Sequence, residues 1–98
     1  MVTPVATPID PKALAAHVLR ALGRAQLRGA TLSLVDVARA LRVRKPEVRA
    51  MVTQLDREGF VDARRMRLTL AGLALAASLA GKRLPALRPA AAVRARAA

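Results

Sequence analysis

One aromatic side chain, Phe60, serves a chain of 98 residues. Although 54% of the residues are apolar, a core must be assembled from Ala, Leu, Val and Met. Ala and Leu carry the best helix propensities, and β-branched residues are comparatively few. The first expectation is therefore a mainly α fold. The length allows one small domain with one modest core. No Cys is present, which excludes disulfides and thiolate metal sites.

Punctuation along the chain divides it into short elements. Residues 1–9 hold two prolines and two threonines without periodicity and read as a flexible lead-in. Asp10-Pro11 is a helix start, because Asp10 can accept from free first-turn N–H groups and Pro11 has no N–H to leave unpaired. That helix is expected to run to about Arg28 and stop at Gly29, a left-handed cap. Leu14, Val18, Ala21, Leu22 and Ala25 fall on one of its faces, and His17, Arg20, Arg24 and Arg28 on another. Thr31-Leu32 reads as a short extended strand. Ser33 with Asp36 three positions on forms a capping box for a two-turn helix whose apolar face is Leu34, Val37, Ala38 and Leu41. Arg42-Val43-Arg44 is a tight turn with Val43 as its apolar plug.

A third helix spans Lys45–Glu58. Its apolar positions are Val48, Met51, Val52 and Leu55, and its polar face carries Lys45, Glu47, Arg49, Thr53, Gln54 and Arg57. After Gly59, the segments Phe60-Val61-Asp62 and Met66-Arg67-Leu68 flank Ala63-Arg64-Arg65 and read as a hairpin with a basic tip. Thr69 caps a fourth helix, Leu70–Ala80, closed by Gly81. The expected domain is thus 10–81. Residues 82–98, basic and free of acids, read as a disordered tail carrying Lys82, Arg83, Arg88, Arg94 and Arg96.

Charge narrows the partners. Eighteen Lys and Arg oppose six Asp and Glu, a net charge of +12. Such a field favours a polyanion: DNA, RNA or an anionic membrane surface. Codon bias toward Arg and Ala accounts for Arg in place of Lys, but not for the scarcity of acids. The first residues carry no basic run or long apolar stretch, so no secretory signal is expected. The least polar stretch, 68–80, is too short to span a bilayer. A cytoplasmic location, at the nucleoid and without membrane contact, is expected.

The order helix, short strand, helix, turn, helix, hairpin, helix is that of a winged helix-turn-helix. The run Leu34-Val35-Asp36-Val37-Ala38-Arg39-Ala40-Leu41-Arg42-Val43, then Val48, Leu55, Glu58-Gly59-Phe60-Val61 and Arg67-Leu68-Thr69-Leu70-Ala71-Gly72-Leu73-Ala74, resembles MarR-like and related bacterial winged-helix regulators. The resemblance covers residues 31–80. It implies a dimeric repressor that binds palindromic double-stranded DNA with helix 45–58 in the major groove. The chain departs from the pattern at Arg42, where such proteins usually have Gly, and at Arg44, where Ser or Thr usually caps the next helix. A missing cap weakens a helix start by about 1 kcal/mol, and a DNA phosphate could occupy that place. No pocket for a small-molecule effector is evident.

On this reading Lys45, Arg49, Thr53 and Gln54 face base edges. Arg42 and Arg44 hold phosphates beside the helix N-terminus, and the wing arginines Arg64, Arg65 and Arg67 reach the backbone or a minor groove. The bland alternatives are a solvated polar face on the helix and, for the hairpin, a basic edge that deters aggregation. The fourth helix is apolar nearly all round, so Leu19, Leu73, Leu75 and Leu79, with Leu27, are expected at a homodimer interface. His17 stands alone, and neither a metal site, a cofactor nor a catalytic group is expected. Three other functions compete: nonspecific coating of DNA as a nucleoid or accessory protein, a protein–protein adaptor, and RNA binding, although the aromatics that usually stack bases are absent.

Overall fold

The computed structural model describes residues 9–88. Asp10 opens α1 (Pro11–Leu27) as expected, accepting from the Lys12 N–H at 3.2 Å. Next come α2 (Leu34–Leu41), α3 (Lys45–Arg57), β1 (Val61–Asp62), β2 (Arg67–Leu68) and α4 (Leu70–Leu79). The architecture is mainly helical with one two-stranded antiparallel hairpin, Val61 opposite Leu68 and Asp62 opposite Arg67.

Three helices close in the same way. Backbone N–H groups of Ala30, Val43 and Phe60 reach back five residues to the carbonyls of Ala25, Ala38 and Leu55. Those of the residues just before them, Gly29, Arg42 and Gly59, bond to Gln26, Arg39 and Asp56. This is the Schellman closure, and it places the residue after the helix in the left-handed region. Gly29 and Gly59 sit there at φ 74° and 86°; Arg42 sits there at φ 58° with a Cβ. Val43 is buried beside Ala38, so it plugs the turn as its position predicts.

Helix α1 lies at the centre and packs against α2, α3, β2 and α4. Leu14, Val18, Leu19, Leu22 and Ala25 from α1 join Val37, Val48, Met51, Val52, Leu55, Val61 and Leu68 in the core. Ala21 is only half-buried and Leu19 replaces it, because α4 covers a second face of α1. Burying side chains of this size stabilises the fold by about 1.5–3 kcal/mol for each Leu or Val.

Two expectations need correction. Thr31-Leu32 forms no strand, and the only sheet among the described residues is the hairpin. Thr69 N–H bonds to the Phe60 carbonyl, so the intervening Leu68 N–H points to the outer edge of β2. There Gln26 Oε1 accepts it at 3.0 Å, doing with a side chain what a third strand would have done. Nor does the fold stop at Gly81. Lys82–Arg88 turns back along α1 without secondary structure. The Lys82 carbonyl accepts from Arg20 Nη1 at 3.2 Å, the Pro85 carbonyl from His17 Nε2 at 2.8 Å, and the Leu87 carbonyl from the Asp10 N–H at 2.9 Å. Leu87 rests against the core. The tail arginines Arg94 and Arg96 lie outside the described residues, as does the lead-in before Ile9.

Candidate nucleic-acid interface

Helix α3 buries Val48, Met51, Val52 and Leu55, and its opposite face is centred on Pro46, Thr53 and Arg57. Arg49, Thr53, Gln54 and Arg57 line an open depression along that face with Pro46 and Ala50. Three of the four side chains expected there are thus brought together. Lys45 is exposed at the edge of the face, on the strip it shares with Arg49 and Asp56. Gln54 is not free, since its Nε2 donates to Glu58 Oε2 at 3.3 Å. Arg57 was on the polar face but outside the expected contact set, although its i, i+4 spacing from Thr53 places the two on one line.

The start of α3 is better closed than its sequence predicts. An arginine side chain has no acceptor, so Arg44 cannot cap the first turn itself. Glu47 nevertheless reaches back, and its Oε1 accepts the Arg44 N–H at 3.1 Å. That is half of a capping box, with an acid at the positive end of the helix dipole. Beside it, Arg42 and Arg44 are both exposed.

The hairpin is fixed to the far end of α3. Asp56 Oδ2 accepts the Ala63 N–H at 2.8 Å, so the turn leaves β1 next to the Lys45–Arg49–Asp56 strip. Within the turn, Asp62 Oδ1 accepts from the Arg64 and Arg65 N–H groups at 3.1 and 3.3 Å, an Asx turn. Met66 then enters the left-handed region at φ 52°, as the last residue of such a loop commonly does. Arg65 Nε lies 3.8 Å from Asp62 Oδ2, the one ion pair among the described residues. Arg64 and Arg67 are exposed. Arg65 is thus partly neutralised, whereas Arg42, Arg44, Arg49, Arg57, Arg64 and Arg67 have no carboxylate within bonding reach among the described residues.

The hairpin is also tied to α4. Thr69 Oγ1 donates to the Gly59 carbonyl at 2.6 Å and accepts the Gly72 N–H at 3.1 Å. One hydroxyl therefore caps α4 and joins it to the end of α3. These bonds link α3, the turn, the hairpin and the start of α4, and Arg42, Arg44, Arg49, Arg57, Arg64 and Arg67 are exposed around them.

The leucines assigned to a dimer interface divide. Leu19 is only 2% exposed and belongs to the core, so it cannot meet a second copy. Leu73, Leu75 and Leu79 are half-buried because α4 already packs on α1 within the same molecule, while Leu27 is 85% exposed. Among the described residues no helix is long and apolar enough to cross a membrane, and no group of His, Asp and Glu is placed to hold a metal ion. Comparison with protein-family models, curated proteins and solved structures gives no match to this chain.

Proposed function

We propose that this chain is a winged helix-turn-helix regulator of transcription that binds double-stranded DNA in a sequence-dependent way at the nucleoid. The observation that carries the reading is the exposed face of α3, where Arg49, Thr53 and Arg57 stand free of carboxylates. An α-helix fits the major groove, and arginine can form two hydrogen bonds to guanine. In this reading α2 braces α3 through the Val43-plugged turn, and α3 enters the groove with Arg49 and Arg57 toward base edges. Thr53 lies between them. Gln54 contributes only when it releases Glu58. Arg42 and Arg44 lie along the phosphates at the α3 N-terminus, and Arg64 and Arg67 along those near the hairpin.

Selection of bound duplexes from random DNA, at near-physiological salt, tests the proposal. Sequence reading by α3 produces an enriched motif, and Arg49→Ala weakens binding to that motif by about 1–3 kcal/mol while sparing bulk DNA. Two half-sites spaced about ten base pairs apart would mean that two copies act together. No enriched motif, with tight binding to all duplexes, would overturn base reading in favour of nonspecific coating. No duplex binding even at low salt would overturn both.

A further inference from the structure

We infer that the groove between α1 and α4 is a docking site for an acidic amphipathic helix of another protein. The two helices run antiparallel, with Arg20 bonded to the Lys82 carbonyl at one end and Gly23 against Ala76 midway. Gly23 permits this approach, since a Cβ there would stand 3.3 Å from both Ala76 Cβ and Leu68 Cδ1. Along this contact, from Arg20 and Gly81 at one end to Leu27 and Leu73 at the other, the two helices line a groove of about 390 Å³. Its walls are apolar, including Leu73, Ala76 and Ala77, and Leu27 projects at its edge with 85% of its surface exposed. Arg20 and Arg24, one turn apart, form its rim.

Charge selects the occupant. Neither α1, α4 nor the segment 82–88 contains a single Asp or Glu, and all six carboxylates lie elsewhere in the chain. A second copy seated across this groove would set Arg20 and Arg24 against the same arginines, with no acid on either helix to separate them. Like charges so juxtaposed oppose association. A duplex would satisfy the arginines but leave Leu27 and the apolar walls uncovered. A helix with apolar residues at i, i+3 or i+4, and i+7 fills such a groove, and flanking Glu or Asp can take the guanidinium forks in pairs.

The test uses the full chain and a labelled model peptide of about four helical turns, with Leu on one face and Glu on its borders. Fluorescence anisotropy at near-physiological salt should show saturable binding. Arg24→Glu and, separately, Leu27→Ser should each weaken it at least tenfold, and the peptide with Lys for Glu should not bind. Both replaced side chains are exposed, and circular dichroism verifies the fold. Ala77→Gln, which narrows the groove from an exposed position, should weaken binding as well. Arg49→Ala should leave peptide binding unchanged, so loss of DNA reading and loss of docking are separable results. Equal peptide affinity in the parent chain and all three groove variants would overturn the inference. So would a dimer in sedimentation that Leu27→Ser disperses, or binding to phosphatidylserine vesicles that depends on Leu27 when the peptide is ignored.

Discussion

Arg42 holds a backbone conformation that suits glycine, because Gly29 and Gly59 fill the equivalent place after α1 and α3. A side chain in the left-handed region costs on the order of 1 kcal/mol. Arg42→Gly should therefore stabilise the fold by about 0.5–1 kcal/mol, raising the thermal midpoint by a few degrees. If Arg42 holds a phosphate, the same change lowers affinity for all duplexes alike, which a titration on bulk DNA would measure. Gly72 makes the opposite case. A Cβ there would overlap the Phe60 carbonyl and press on Leu68 Cβ at 3.2 Å. Gly72→Ala should destabilise by about 2–4 kcal/mol in denaturant unfolding, since the obstacle is backbone and cannot rotate away. A cost below 0.5 kcal/mol would show that α4 can shift off the hairpin freely.

Among the elements, α2 has the most complete N-terminus. Ser33 Oγ accepts the Asp36 N–H at 3.1 Å, and Asp36 Oδ2 accepts the Ser33 N–H at 2.9 Å. The bond from the Ser33 backbone, then that with its side chain, and a smaller contribution from Arg39, hold the Asp36 carboxyl below its ordinary 3.8. A depressed folded-state value means that this contribution to stability is present above the unfolded carboxylate range. It is lost as pH falls through the lowered folded value. Asp36→Asn should flatten that part of the acid limb in urea titrations between about pH 5 and 2. The helices were legible because their ends are written in local chemistry: Asp10-Pro11, Ser33 with Asp36, Thr69, Gly29 and Gly59. What covers α4 was not legible. A helix apolar on every side carries no marker of which face packs, so Leu19 was as consistent with a second copy as with the core. Gln26 was equally silent, because its bond to the Leu68 N–H depends on α1 and β2 meeting across 42 positions.

For the whole molecule, duplex affinity should fall steeply with salt. If four or five of the free arginines on the α3 and hairpin side neutralise phosphates, log K should fall with log salt at a slope of about −4. Arg64→Ala should reduce that slope by about 1, uniformly across sequences. A slope unchanged by Arg64→Ala would remove the hairpin from the contact surface. The candidate site was legible as a set of residue types at helical spacing. The pairing of Gln54 with Glu58, and of Arg65 with Asp62, was not, because several basic and amide groups compete for each acid and only geometry decides. The return of Lys82–Arg88 was hidden for another reason. It is held by the backbone carbonyls of Lys82, Pro85 and Leu87, which residues of any type would supply.

That return path has a topological consequence. The Asp10 N–H meets the Leu87 carbonyl at 2.9 Å, so the described residues end beside the place where they begin. The described residues thus form nearly a ring. Joining the two ends through a short Gly-Ser bridge and opening the exposed link at Gly29–Ala30 should give a circular permutant with the same helical content and cooperative melting. Non-cooperative melting of that permutant, monitored by circular dichroism, would show that α1 must be continuous with α2 for the molecule to assemble.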